Sequence, residues 1–77
     1  MANFTEKPAS TISITLNGDH AALPANCTVQ QLLAVRGLSN QPCAVEVNKF
    51  VVPKARHASH RLASGDIIEI VTLVGGG

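Results

Sequence analysis

Thr11-Ile12-Ser13-Ile14-Thr15-Leu16-Asn17-Gly18 carries the signature of a half-buried strand entering a tight turn. Ile12, Ile14 and Leu16 alternate with Ser13 and Thr15, and a period of two lines up the apolar set on one face of a half-buried strand. Asn17-Gly18 follows, a pair that accepts the positive φ of a tight hairpin. The returning strand is predicted to be short, about His20 to Leu23, because Pro24 cannot donate to a ladder. Upstream, residues 1–10 are polar, contain Pro8 and lack periodicity, so they read as a flexible arm.

Downstream of the hairpin the period changes. Val29, Leu32 and Leu33 follow helical spacing and form an apolar stripe. Thr28, with Gln31 three residues on, fits a capping box. Arg36 falls where positive charge suits the helix C-terminus, and Gly37 is a natural stop. Alternation returns at Ala44-Val45-Glu46-Val47-Asn48, with Val45 and Val47 inward. Asn48-Lys49 turns the chain into Phe50-Val51-Val52, and Pro53 ends that pair. Lys54 to Arg61 is basic and contains histidine, and fits either a short helical turn or a solvated loop. Ser64-Gly65-Asp66 makes a tight turn. The last strand runs from Ile67 to about Val74, with Ile68 and Ile70 inward and Ile67, Val71 and Leu73 out of phase with them.

One helix over one face of a mixed sheet of four to five strands is an α+β arrangement. The helix-bearing crossover allows the first and last strands to pair in parallel at the centre. The domain is expected over residues 11–74, with Val74 as the last anchored residue. Gly75-Gly76-Gly77 then form a flexible tail reaching roughly 10 Å beyond the body. Without a Cβ, these residues can thread a narrow channel and leave the terminal carboxyl sterically open.

Composition excludes several functions. The chain has 77 residues, a net charge of +1 and only 14% charged residues, too few cations for a protein that lives on phosphate contacts. It has 2 Phe and no Trp or Tyr, so it lacks a platform for stacking bases, and no nucleic-acid partner is expected. Two cysteines, Cys27 and Cys43, are too few for a disulfide framework. His20, His57 and His60 show no recurring ligand spacing, and no metal site is expected. Neither cysteine has a paired histidine in a recognisable local motif, and the glycines are not followed by Lys-Ser/Thr, so the domain supplies neither a nucleophile nor a phosphate loop. It is not expected to be an enzyme. The N-terminus lacks the basic-then-apolar order of a signal peptide, and no segment reaches the length of a membrane span. A cytoplasmic monomer without a membrane partner is the expectation.

With these segments in order, the sequence resembles the thiazole-biosynthesis sulfur carrier family (ThiS), a branch of the β-grasp, ubiquitin-like carriers. The resemblance rests on Leu16-Asn17-Gly18, Thr28 to Leu33, Ala44 to Asn48, Val51-Val52-Pro53 and, above all, Gly65 to Gly77. It implies a β-grasp fold and a role for the Gly77 carboxylate. An E1-like adenylyltransferase would adenylate it with Mg-ATP, and a sulfur donor such as a cysteine desulfurase would supply sulfur. The product would be a thiocarboxylate (1-thioglycine) that thiazole synthase consumes in thiamin biosynthesis. Nothing is expected to be bound to the carrier itself. Two alternatives share the fold: the small subunit of molybdopterin synthase, and a β-grasp binding module of the TGS type with an idle tail. A plant-type ferredoxin fails on cysteine count.

The candidate site is therefore Gly77 as the sulfur-carrying end, with Gly75 and Gly76 threading a partner's active site. Candidate partner contacts are Ile67, Val71, Leu73 and Val74 as an apolar strip, and Lys54, Arg56 and Arg61 as a basic cluster that pairs with an acidic patch. Glu46 and Glu69 read as outward charges that protect sheet edges.

Overall fold

The computed structural model describes residues 11–73 of the chain. β1 (Thr11–Leu16) and β2 (Asp19–Pro24) form the expected antiparallel hairpin, from Thr11↔Pro24 to Leu16↔Asp19. Asn17 (φ 48°) and Gly18 (φ 89°) both take the left-handed conformation that a two-residue turn with matching twist demands. Pro24 lies inside β2 rather than after it. β2 is an edge strand, where a missing N–H is tolerated.

The helix α1 (Val29–Val35) begins at Thr28, whose hydroxyl accepts from Gln31 N at 3.1 Å while the Gln31 side chain accepts from Thr28 N at 2.9 Å. Val29 N donates to His60 O at 3.0 Å and Gln30 N to His57 O at 2.9 Å. The N–H groups that a helix start leaves without partners are thus satisfied by its cap and by a distant loop. At the other end Gly37 (φ 74°) donates to Ala34 O, and Leu38 N reaches back to Leu33 O at 2.8 Å. This pair of bonds is a Schellman motif, and it needs a residue free of a Cβ penalty at Gly37.

β3 (Cys43–Val47) turns through Asn48 (φ 54°) and Lys49 (φ 75°) into β4 (Phe50–Val51), and β5 (Ile67–Thr72) closes the sheet. The strand order is β2-β1-β5-β3-β4, so β5 is central. It runs parallel to β1 and antiparallel to β3. Ile14, Leu16, Val45, Val47, Ile68 and Ile70 from the sheet meet Val29, Leu32 and Leu33 from α1 in one aliphatic core. Leu23, Cys27, Val52 and Leu62 complete it.

The segment between β4 and β5 takes the expected short helical turn, and its backbone also packs against the start of α1. Lys54–Arg56 form a 3-10 turn, and the following His57 is only 8% exposed. Its ring Nε2 donates to Val52 O at 3.0 Å, and its main-chain carbonyl caps α1. Leu62 N donates to Cys27 O, and Arg61 bridges Thr28. A basic, aperiodic sequence hides this role because the segment contributes through its backbone rather than through an apolar stripe. Among the described residues, no helix is long and apolar enough to cross a membrane.

Candidate functional site: the exit of the central strand

The fold delivers the chain to its C-terminal tail along β5, and β5 is held on both edges. On the β1 side, Thr15 N donates to Asp66 O at 3.0 Å and Asn17 N to Ile68 O at 2.9 Å. β1 ends there, and the Asn17 side chain takes over. Its Oδ1 accepts from Ile70 N at 2.8 Å and its Nδ2 donates to Ile70 O at 3.3 Å. The amide imitates one more peptide unit of β1. On the β3 side, Leu73 N donates to Pro42 O at 2.9 Å, which continues the antiparallel pattern past the last strand residue.

The start of β5 is fastened by a second asparagine. Asn48 Oδ1 accepts from Ile67 N at 2.9 Å, Asn48 Nδ2 donates to Asp66 Oδ1 at 2.9 Å, and Asp66 Oδ2 accepts from Ala63 N at 2.8 Å. Asp66 is therefore a turn-closing residue, as its place after Gly65 suggests. Asn17 and Asn48 read in the sequence only as turn formers. Their side-chain bridges to β5 depend on a pairing 18 to 53 residues away, and no local signal reveals them.

Ile67 and Val71 lie on the sheet face opposite α1 and are 53% and 58% exposed. Val51 on β4 joins them on that face, an apolar contribution that the sequence reading did not single out. Leu73, also exposed, lines a cavity of about 650 Å³ together with Leu33, Leu38, Cys43, Lys54 and His57. The expected strip thus consists of Ile67 and Val71 on the open face, while Leu73 forms part of a cavity wall that α1 shares. Lys54, Arg56 and Arg61 sit in the segment that caps α1, so the fold places this basic group with the helix and not with the open face. Val74, Gly75, Gly76 and Gly77 lie outside the described residues.

Glu46 and Glu69 correct another expectation. β3 and β5 are both interior strands, so neither carboxylate guards an edge. The two face each other directly across the ladder, an arrangement that costs stability for like charges. Cys27 is buried, and desolvation pushes its thiol pKa up, which disfavours the nucleophilic thiolate. Cys43 is half-buried beside the cavity. Among the described residues, no group of three or more His, Cys, Asp or Glu side chains is placed to hold a metal ion.

A five-stranded mixed sheet with one helix and a pinned central strand, followed in sequence by a glycine run, has counterparts among known proteins. The profile of the ThiS family matches residues 7–77. The chain belongs to the ThiS family. A thiamine biosynthesis protein (ThiS) from Geobacter metallireducens has a crystal structure that superposes with a TM-score of 0.72 at 25% identity, over 86% of this chain and 100% of that one. The sulfur carrier protein ThiS of Bacillus subtilis is 46% identical over 50 residues, 65% of this chain and 76% of that protein. A thiazole synthase from Paramagnetospirillum magneticum is 36% identical over 66 residues, which are 86% of this chain and 20% of that protein. The chain therefore spans about a fifth of the length of that relative, and its likeness to the synthase is that of one domain. The solved ThiS neighbour shares the β-grasp fold described above.

Proposed function

We propose that this ThiS-family protein is a sulfur carrier for thiazole formation in thiamin biosynthesis, with the carboxylate of Gly77 as the reacting group. The observation that carries the reading is the central strand. β5 is fixed to Asn17, Asn48 and Pro42, and the sequence beyond it is Leu73-Val74-Gly75-Gly76-Gly77. A rigid body that ends in residues without side chains presents an acyl group at a defined distance and leaves its approach open.

The domain contributes position, and its partners contribute chemistry. A carboxylate oxygen of Gly77 attacks the α-phosphate of Mg-ATP in an E1-like adenylyltransferase, and pyrophosphate leaves. Hydrosulfide, released from the persulfide of a donor such as a cysteine desulfurase when a thiol reduces it by two electrons, then adds to the acyl carbon. AMP departs with the bonding electrons, leaving a thiocarboxylate for thiazole synthase. The charge that develops in these steps must be met by groups on the enzymes. In this role the protein is a cosubstrate and not an enzyme. The names of the similar proteins, thiazole synthase and sulfur carrier protein ThiS, favour the thiazole branch over the pterin branch. Ile67, Val71 and Val51, exposed on the open face around Glu46 and Glu69, form the surface that an activating enzyme would cover, and exposed apolar side chains on the strand that leads to the tail suit such docking.

The test is intact mass spectrometry after incubation with Mg-ATP, a sulfur source and an activating enzyme from the same cell. Replacement of one oxygen by sulfur adds about 16 Da. An unchanged mass, where a control carrier is converted, rejects the proposal.

A further inference from the structure

We propose that the main-chain N–H and C=O of Thr72 form a docking edge, onto which the enzyme that handles Gly77 lays an extended segment as an added strand. This deepens the carrier reading and rests on it. The argument begins with the parity of the β3–β5 ladder. In an antiparallel pair, residues that exchange main-chain bonds alternate with residues that do not. Leu73 N bonds Pro42 O and Asn48 N bonds Ile67 O, so the odd-numbered residues of β5 turn their main chain toward β3. The register Cys43↔Thr72 is consequently a pair without hydrogen bonds. Ile68, Ile70 and Thr72 turn theirs the other way, toward β1.

Two of these three positions are satisfied there. Ile68 O receives Asn17 N, and both Ile70 groups receive the Asn17 amide. Thr72 is one step further, where β1 has already turned away through Asn17-Gly18. Beside it lies a cavity of about 410 Å³ whose walls include Asn17, Asp19, Arg36, Leu16 and Leu38. Thr72 N and O make no main-chain bond on that side among the described residues.

The geometry selects a strand as the occupant. The free donor and acceptor belong to one residue and lie in line with a sheet that already ends there, which is the requirement for strand addition. Asp19 and Arg36 carry opposite charges at the rim, so the notch does not select one charged side chain, and a main-chain partner needs none. Apolar Leu16 and Leu38 supply contact for whatever side chain the added strand turns inward. The mechanistic consequence is registration. Pairing at Thr72 fixes the chain five residues before Gly77, at most roughly 17 Å of extended backbone from the reacting carbon.

The test deletes the donor and keeps the fold. Thr72→Pro removes the N–H on the free edge and leaves every β3 bond, which uses odd-numbered residues, in place. Thr72→Val keeps the N–H. Replacing the Thr72 amide by an ester through semisynthesis deletes the donor without a ring, and decides the matter if the proline variant misfolds. Binding to the E1-like adenylyltransferase of the same organism is measured by calorimetry. The expected result is a loss of at least about fivefold in affinity for the proline and ester forms and wild-type affinity for Thr72→Val. In the free protein the Thr72 amide should exchange with deuterium faster than those of Val71 and Leu73. Wild-type affinity of the ester form overturns the proposal. So does protection of the Thr72 amide that grows with protein concentration in the absence of enzyme, which assigns the edge to a second copy. If the wild-type protein is neither bound nor adenylated, the carrier reading fails and takes this one with it. If it is adenylated and the ester form is adenylated equally well, only the docking edge fails.

Discussion

Replacing Asn17 by alanine should cost more stability than an exposed turn residue normally does. Two effects add. The side chain supplies the partners of Ile70 N at 2.8 Å and Ile70 O at 3.3 Å, in a part-buried site on the central strand. Each such bond contributes about 1 kcal/mol net. In addition, Asn17 sits at φ 48°, where alanine pays about 1 kcal/mol more than asparagine. The expected loss for Asn17→Ala is thus about 2–3 kcal/mol. Asn17→Gly removes the same bonds but tolerates the backbone angle, so it should lose about 1–2 kcal/mol. The difference between the variants isolates the backbone contribution, and the remainder measures the bridge to β5. The chain has no Trp or Tyr, so unfolding in urea is best followed by far-UV circular dichroism. With a slope of about 1 kcal/mol per molar, the midpoint of the alanine variant should fall by about 2–3 M. Deuterium exchange at the Ile70 amide should speed up in both variants. An alanine variant within ~0.5 kcal/mol of wild type, with Ile70 exchange unchanged, would refute the assignment of Asn17 as the extension of β1.

Other outcomes follow from the same structure. At mildly alkaline pH, iodoacetamide should label half-buried Cys43 first and buried Cys27 only on unfolding, as read by peptide mass mapping; equal rates contradict the burial. Because burial raises the Cys27 pKa, the unfolded thiol ionises before the folded one. The stability this group contributes is therefore full below its unfolded pKa and declines as pH rises through the folded pKa, which a Cys27→Ala variant should not show. Glu69→Gln relieves the pair with Glu46 and should raise stability by a few tenths of a kcal/mol at low salt (roughly 0.2–1), with the gain shrinking as salt is added. Val71→Asp on the open face should leave the melting temperature nearly unchanged while weakening adenylation by the activating enzyme, and an unchanged rate removes that face from the docking surface. Deleting Gly76-Gly77, or adding one residue after Gly77, should abolish complementation of a deletion strain while the body stays folded; full complementation by both variants would favour the binding-module alternative, whose tail is idle.

Much of this fold was legible because its signals are local. The alternation of Ile12, Ile14 and Leu16, the Asn17-Gly18 turn, the Thr28–Gln31 box and the Gly37 stop each depend on residues within a turn of one another, and each appears where the sequence puts it. Parallel pairing of β1 with β5 also followed, from the connectivity that a single helical crossover permits. The burial of His57, the separation of Lys54, Arg56 and Arg61 from the open face, and the facing of Glu46 by Glu69 did not. They depend on strand order and register, which are set by the whole core at once.

The amino-acid sequence alone determined that this is a small aliphatic α+β domain whose last strand runs into three glycines, because strand, cap and turn preferences act over a few residues. It took the folded arrangement to reveal that two turn asparagines bridge to the last strand, that Glu46 faces Glu69 across the ladder, and that one rung at Thr72 is left open. Hydrogen-bond parity is a property of two strands together. It has no value until residues some twenty to fifty positions apart are laid side by side.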